Sequence, residues 1–231
     1  MASNFAFLHG EFPELEKLGI AAERSLLSDP QTCLMEAGLL CESMIRVMCA
    51  LDHVTLPEDC TAAERIDILQ RRDILPADIA ATFHLMDNAR HQTAHEDGPV
   101  PEADTPHLLQ IAHSLCGWFF QTYVDETWQL QEFITPTESV FSPDDGDQSA
   151  GQERALADKA VARAAQAVAV PDAVRRQRAA MAAGKRHVSE AETRYLIDTQ
   201  LRKVGWEADT RRLRYSRGVR PQAGRNLAIA E

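Results

Sequence analysis

Residues Pro30 to Leu51, PQTCLMEAGLLCESMIRVMCAL, give the clearest indication of the fold. It follows Asp29, and an aspartate before a proline is a common arrangement of an N-cap and the first helical position. Apolar residues then recur at steps of three and four, the spacing of one face of an α-helix. They are Leu34, Ala37, Cys41, Met44, Ile45, Met48 and Leu51. The stretch therefore predicts a long, buried helix.

Similar patterns on both sides of this stretch predict four further helices. One covers Pro13–Leu27, one follows the capping box Thr61–Glu64, one starts at Pro76, and one starts at Thr105. No segment of this half alternates between apolar and polar residues as a half-buried strand would. The sequence predicts a mainly α protein with an antiparallel helical bundle over residues 1–134.

The composition is that of a soluble protein with a substantial core, since 45% of the 231 residues are hydrophobic. No apolar run approaches the roughly 20 residues of a membrane span, and the N-terminus lacks a signal pattern. We expect a cytoplasmic chain without a membrane partner. Cys33, Cys41 and Cys49 fall within the apolar helical pattern, and the chain has no C-x-x-C pair. The cysteines are predicted to be reduced core residues, with no metal site.

The net charge of −11 is unevenly distributed along the chain. Residues 1–135 hold 7 Lys and Arg against 22 Asp and Glu, whereas residues 174–231 hold 14 against 6. An acidic surface repels phosphate over about 10 Å in physiological salt. The basic C-terminal segment is therefore the candidate surface for nucleic acid, and the alternative is a set of solvated arginines.

Composition also predicts the boundaries of the later segments. Residues 135–151, TPTESVFSPDDGDQSAG, have the Pro, Ser, Asp and Gly content of a flexible linker. Residues 152–188 are rich in alanine, which favours helix but buries little area, so we expect exposed connecting helices that need a partner surface. In residues 189–231 a capping box at Ser189 and Glu192 predicts a helix, and short strands are expected at Trp206–Ala208 and Leu227–Ala230.

The order of motifs in residues 189–231 is the most specific feature of the chain. It reads SEAETRYLIDTQLRKVGWEADTRRLRYSRGVRPQAGRNLAIAE. The succession of a helix, Gly-Trp, Arg-Tyr-Ser, Gly-x-Arg-Pro and Gly-Arg-Asn resembles the start of the nuclease domain in the R subunit of type I restriction enzymes. Residues 4–8 (NFAFL) and 85–96 (LMDNARHQTAHE) also resemble such subunits, many of which carry a helical extension before the nuclease. The resemblance implies the N-terminal part of an R subunit, either naturally truncated or excised.

The resemblance also implies a function for the parent protein. Such a subunit works with methylation and specificity subunits in defence against phage, translocates DNA with ATP and cleaves it with Mg²⁺. Its nuclease is a PD-(D/E)xK fold in which strand acids and a Glu-x-Lys pair hold the metal ion. Of the family's acids, the one on the first helix is matched by Glu190 or Glu192. The segment is expected to be loosely ordered without the remaining sheet.

Two motifs that the parent needs are absent from these 231 residues. None of the four lysines has an acid two positions before it, so there is no Glu-x-Lys pair. The Gly184-Lys185 pair lacks the other residues of a P-loop. We therefore expect no cofactor in this chain and a docking module that cuts no DNA by itself.

Arg217, Arg220, Arg225 and Asn226 are the candidate nucleic-acid contacts of the basic segment. They lie among glycines and a proline, which suits a loop that brings its backbone close to phosphate. The alternative is that the glycines serve turns and the arginines remain solvated.

Arg90 to His95, RHQTAH, resembles the signature of the HEPN superfamily of helical bundles, which includes metal-independent RNases. The resemblance implies that Arg90 orients an RNA phosphate and that His95 is the acid or base, with His91 at the intervening polar position. It also implies pairing of two bundles, and thus a homodimer.

Three alternatives remain open for this half of the chain. Arg90 and His95 could pair with nearby acids such as Asp87 and Glu96 in a structural role. His91 and His95, four residues apart, could be two ligands of a metal site that lacks a clear third. Aromatic residues after the bundle's midpoint could form either core or a dimer face. These are Trp118, Phe119, Phe120, Tyr123 and Trp128.

Overall fold

The computed structural model describes residues 3–94, 104–137, 150–186, 188, 190–210 and 212–230. Within them the chain forms eight α-helices and two short strands, which confirms the mainly helical fold. The chain divides into two compact units, residues 1–186 and residues 187–231. The elements are α1 (Pro13–Ser28), α2 (Pro30–Leu51), α3 (Ala62–Arg71), α4 (Ala77–Ala94), α5 (Thr105–Tyr123), α6 (Ala150–Ala164), α7 (Asp172–Lys185), α8 (Glu190–Lys203), β1 (Glu207–Ala208) and β2 (Leu227–Ala228).

Helix α2 forms the centre of the first unit, where it packs against α1, α3, α4, α5 and α6. The predicted cap is confirmed, because the Asp29 carboxylate accepts hydrogen bonds from the backbone N–H groups of Gln31 and Thr32, both at 3.1 Å. Most of the apolar residues named above lie in the core, including Met44 and Met48, which are fully buried. Residues Pro30–Leu51 therefore form the central helix of this unit.

The capping box before α3 is also confirmed. The Thr61 hydroxyl accepts a hydrogen bond from the backbone N–H of Glu64 at 3.2 Å, and the Glu64 carboxylate accepts one from the backbone N–H of Thr61 at 2.8 Å. These bonds satisfy donors that the first turn of a helix leaves without partners.

The alanine-rich helices pack against the bundle, so the expectation of an exposed pair is wrong. Helix α6 contacts α1 and α2, and α7 contacts α5. The Trp118 indole N–H of α5 donates a hydrogen bond to the carbonyl of Ala179 at 3.1 Å. One alanine face of each helix is 1–4% exposed. The buried alanines are Ala157, Ala160 and Ala164 in α6, and Ala179 and Ala182 in α7. The small alanine side chains allow α6 and α7 to approach the bundle closely, and the larger side chains of the bundle fill the space between the helices.

A buried ion pair holds α7 to the end of α2. Arg175 Nε lies 2.6 Å from Asp52 Oδ1, and the two side chains are 2% and 5% exposed. The Tyr123 hydroxyl donates a second bond to Asp52 Oδ2 at 2.6 Å. Burial raises the pKa of Asp52, against the lowering effect of Tyr123 and Arg175. Because Asp52 caps the C-terminus of α2, the helix dipole also favours a cation there.

The N-terminal segment is tied to the segment that follows α5. The Asn4 side chain donates to the carbonyl of Ile134 and accepts from its backbone N–H, both at 2.8 Å. Asn4 also donates to the buried carboxylate of Glu23. The ring of Phe5 meets the buried ring of His113 edge-on at 5.7 Å. The resemblance noted for residues 4–8 thus falls on a segment that is packed into the bundle.

The cysteines and the largest aromatic side chains belong to the core. All five cysteines are free and buried, as predicted. Trp118 and Phe119 are 2% and 0% exposed within one chain. These two side chains therefore supply no surface for a dimer, whereas Phe120, Tyr123 and Trp128 are partly exposed.

The second unit is built around α8 and a parallel pair of strands. Glu207 pairs with Leu227 and Ala208 with Ala228, at the predicted places, although each strand has only two residues. Asp198 of α8 accepts hydrogen bonds from the backbone N–H and the hydroxyl of Thr210, at 2.7 and 2.6 Å. Among the described apolar side chains of this unit, that of Ala208 alone is buried. Loose ordering of the segment stays a prediction.

Parts of three sequence-based predictions fall outside the described residues. These parts are residues 138–149 of the predicted linker, His95 of the HEPN-like motif together with the nearby acid Glu96, and Ser189 of the second capping box. None of the described helices combines the length and apolar character that crossing a bilayer requires.

Candidate functional site

Arg90 of the HEPN-like motif is bound to Glu42 of α2. Arg90 Nη1 donates to Glu42 Oε2, and Arg65 of α3 lies 3.6 Å from Glu42 Oε1 on its other side. Arg90 and Glu42 are 22% and 26% exposed. One carboxylate thus links three helices through two arginines, and its Oε2 accepts a hydrogen bond from the guanidinium that the motif assigns to an RNA phosphate.

The close approach of α4 to α2 requires a glycine at position 38. A Cβ added to Gly38 would lie 2.7 Å from Cδ of Arg90 and 2.8 Å from its Cβ, distances that side chains do not tolerate without displacement. Gly38 and Glu42 are four residues apart, so they lie on one face of α2. Arg90 therefore pairs with an acid, as in the structural alternative, although the carboxylate beside it is that of Glu42 and not that of Asp87.

His91 lies on the solvent side of α4. Its Nδ1 is 2.8 Å from the carbonyl oxygen of Asp87 and 3.4 Å from the Asp87 carboxylate, and its side chain is 62% exposed. Among the described residues, no group of three His, Cys, Asp or Glu side chains is arranged to hold a metal ion. The structure accordingly places Arg90 in a helix contact and His91 on the surface, while His95 lies outside the described residues.

The two candidate acids of α8 occupy different environments. Glu190 is 78% exposed and accepts a hydrogen bond from Nε of Arg194 at 3.0 Å, one turn along the helix. Glu192 is 2% exposed. An exposed pair one turn apart has little structural weight, whereas a buried carboxylate requires partners. Burial therefore separates two acids that the sequence left equivalent.

Residues 210–226, which we call the arginine loop, contain six arginines and no Asp or Glu. The loop connects β1 and β2 and includes a 3₁₀ turn at Tyr215–Arg217. Gly218 ends this turn with φ +82°, a left-handed conformation that favours glycine. A Cβ added there would meet no atom within 4 Å, so the backbone of the turn is open to an approaching ligand.

Arg225 is committed to a bond with β1. Its Nε donates to Glu207 Oε1 at 2.8 Å and its Nη2 donates to Glu207 Oε2. The two-pronged pair raises the pKa of Arg225 and lowers the pKa of Glu207. The neighbouring candidate Asn226 has an exposed side chain, and its carbonyl accepts from the backbone N–H of Glu207 at 2.7 Å. Both residues thus join the end of the loop to the strand.

Arg220 and Arg217 keep uncompensated charge. Arg220 Nη1 donates to the carbonyls of Tyr215 and Val219, at 3.0 and 2.8 Å, and the guanidinium carbon lies 5.4 Å from the centre of the Tyr215 ring. These partners are neutral. Arg217 is exposed, and its side chain forms no hydrogen bond or ion pair with any residue that the structure describes. The loop therefore presents two cations and a ring that is 44% exposed.

Sequence reasoning missed Glu42, Gly38 and Glu207, which determine what the candidate arginines can do. A glycine followed four residues later by an acid inside the apolar pattern of α2 was a usable signal for the contact with α4. For Glu207, the position in a predicted strand before an acid-free loop was the corresponding signal.

Comparisons with known proteins give matches in both halves of the chain. A family described as "Domain of unknown function (DUF4145)" matches residues 21–135. A second, described as "Type I restriction enzyme EcoKI endonuclease subunit second domain", matches residues 207–231. The type I restriction enzyme EcoKI endonuclease subunit of Escherichia coli (strain K12) is 60% identical over 45 residues, which is 20% of this chain and 4% of that protein. No solved structure matches.

The similarity to the restriction enzyme covers a short part of both proteins. This chain spans only a small fraction of the length of the curated relative. The residues matched by the restriction-enzyme family begin at β1 and include the whole arginine loop and β2. Over a short stretch, the chain is therefore similar to the endonuclease subunit of a type I restriction enzyme.

Proposed function

We propose that this chain is the N-terminal part of a type I restriction endonuclease R subunit and serves there as a docking module. The observation that carries the proposal is the 60% identity over 45 residues to the EcoKI endonuclease subunit. The family match over residues 207–231 agrees with this similarity, and it falls on the strands and the arginine loop.

The whole subunit would act in a cytoplasmic complex with methylation and specificity subunits. It would translocate DNA with ATP and cleave it with Mg²⁺, in defence against phage. In this chain the buried Glu192 is the better candidate for the acid of the first nuclease helix, because Glu190 is a surface residue paired with Arg194. The arginine loop would supply contacts to DNA. Since these 231 residues contain no Glu-x-Lys pair and no P-loop, we assign them docking rather than cleavage.

Co-expression tests the docking function directly. The 231-residue chain with an affinity tag is produced together with methylation and specificity subunits of a type I restriction system, and the complex is captured and analysed by light scattering. We expect capture of at least one of these subunits in a fixed ratio. An unrelated acidic helical protein with the same tag is the control. Recovery of the folded chain without either subunit, at concentrations near 10 μM, would refute the proposal.

A metal-independent HEPN RNase is the second candidate, favoured by the position of Arg90 and His91 near the end of α4. The bond between Arg90 and Glu42 opposes it, because an RNA phosphate would have to compete with a carboxylate already in place. If two bundles pair in such an enzyme, Phe120, Tyr123 and Trp128 are the partly exposed aromatic residues that remain for the contact.

The chain offers a matched control for this second candidate. Arg65→Ala and Arg90→Ala each remove one arginine from Glu42, but only Arg90 belongs to the motif. The docking function predicts that neither the unchanged chain nor these variants cleave single-stranded RNA in EDTA. Cleavage that is lost in Arg90→Ala and His95→Ala but retained in Arg65→Ala would establish the RNase instead.

A further inference from the structure

We propose that the arginine loop binds the phosphodiester backbone of DNA through Arg217 and Arg220, and that Arg225 is a positioning residue that never touches phosphate. The inference deepens the proposed function and rests on it for the identity of the nucleic acid. It divides between two roles three arginines that sequence reasoning treated as equivalent.

Charge provides the first argument. The loop has six arginines and no acid of its own, so the carboxylates that pair with its arginines come from β1 and the residue after it. Asp209 lies 3.6 Å from Arg212, and Glu207 holds Arg225 with both carboxylate oxygens. Arg217 and Arg220 have no carboxylate partner among the described residues, and both are exposed. Uncompensated arginines on an open surface fit an anionic ligand, and phosphate matches guanidinium geometry.

The geometry around the 3₁₀ turn provides the second argument. Arg220 is fixed over the Tyr215 ring by two bonds to backbone carbonyls, which leaves its other N–H groups available for donation. Arg217 lies in the same turn as Tyr215, next to the open backbone of Gly218. The turn therefore combines two cations with a backbone that a phosphate can approach closely. Such contacts position a protein on DNA without reading sequence.

Arg225 has a different role because its guanidinium is already used. The pair with Glu207 joins the last turn of the loop to β1, and Nη1 donates to the Gln222 side chain at 2.7 Å. A phosphate could bind Arg225 only by displacing a bidentate carboxylate. The pair instead fixes the end of the loop beside the strand, and through it the position of the 3₁₀ turn.

The test measures binding of the 231-residue chain to a 30-base-pair duplex by fluorescence anisotropy over a series of salt concentrations. Each phosphate contact adds about 0.9 to the slope of log affinity against log salt. Arg217→Ala and Arg220→Ala should each lower the slope by about one and the affinity about tenfold at 50 mM salt. Arg176→Ala, which removes an exposed arginine from α7, is the matched control and should leave the slope unchanged.

Exchange of the ion pair separates positioning from contact at Arg225. Arg225→Ala should weaken binding, whereas the double variant Glu207→Arg with Arg225→Glu restores the pair with reversed polarity and should bind within about twofold of the unchanged chain. If Arg225 contacted phosphate, the glutamate would repel the backbone and the double variant would bind worse than Arg225→Ala. That result, or an unchanged slope in Arg217→Ala, overturns the inference.

Two further outcomes distinguish this inference from the docking function. A chain that is captured with the restriction subunits but shows no salt-dependent binding to the duplex refutes the loop assignment and leaves the docking function intact. A chain that binds the duplex with the expected variant pattern but captures no subunit refutes the docking function and supports the loop assignment. Preference for single-stranded RNA over the duplex, measured in competition, would refute the assignment to DNA.

Discussion

Replacement of Arg175 by alanine should destabilise the helical unit more than any single surface substitution. The residue links α7 to the end of α2 through Asp52 and is 2% exposed. In its absence the Asp52 carboxylate, 5% exposed, keeps the hydrogen bond from the Tyr123 hydroxyl but loses its counter-charge. Removal of one partner from a buried ion pair costs about 3–5 kcal/mol, mainly because the other charge stays buried.

The contacts of Asp52 place the loss near the lower end of that range. Burial already raises the pKa of Asp52, so the carboxylate of the variant takes up a proton at a reduced cost. We expect a loss of about 3 kcal/mol at pH 7 and a fall in Tm of roughly 6–12 °C. A carboxyl group with a raised pKa binds its proton more tightly in the folded state, and therefore the deficit should shrink as the pH falls toward 5.

Urea unfolding monitored by tryptophan fluorescence measures this effect, because the Trp118 indole bonds to the backbone of α7. Arg176→Ala is the control, since Arg176 lies 3.9 Å from Asp73 on an exposed surface and should change stability by less than about 1 kcal/mol. The double variant Arg175→Met with Asp52→Asn removes both charges and should recover most of the loss. Equal stabilities of the Arg175→Ala and Arg176→Ala variants would refute this account of how α7 is held.

Two further predictions concern other contacts of the same unit. Gly38→Ala should lower the free energy of unfolding in urea by about 1–3 kcal/mol, because the new methyl group meets Arg90. Gly184→Ala is the control, because a Cβ at this position near the end of α7 would have no atom within 4 Å. It should be neutral or stabilising by up to about 1 kcal/mol. An equal effect at both positions would contradict the close approach of α4 to α2. Burial of His113 lowers its pKa to about 4 from 6.5, so its neutral form contributes stability that is complete above pH 6.5 and is lost as the pH falls toward 4, by roughly 3 kcal/mol. His113→Gln should flatten the dependence of Tm on pH over this interval.

The helices could be predicted because their signals are local. The apolar spacing of α2, its Asp29 cap and the capping box at Thr61 each depend on residues within one or two helical turns. The packing of α6 and α7 could not be predicted, because an alanine face carries no sign of the surface that covers it. A composition rich in alanine is equally consistent with an exposed helix and with one packed closely on a bundle.

The candidate sites show the same division. Their residue types could be found in the sequence: Arg90 and His91 in a motif-like helix end, and Arg217, Arg220, Arg225 and Asn226 in an arginine-rich loop. Their partners could not, since Glu42 is 48 residues from Arg90 and Glu207 is 18 residues from Arg225. The partners change the conclusions, because an arginine bound to a carboxylate is not available to phosphate.

Three properties follow from the sequence alone: the chain is mainly helical, residues 189–231 are similar to a restriction-enzyme subunit, and the basic charge lies in that segment. Hydrophobic spacing, capping residues and motif order are properties of neighbouring positions, and for this reason they can be recognised in the sequence. Which charged groups are paired and which are open to a ligand depends on the tertiary structure. The reason is that a buried or bidentate ion pair depends on which helix or strand lies opposite, and packing brings together residues that are far apart in the chain.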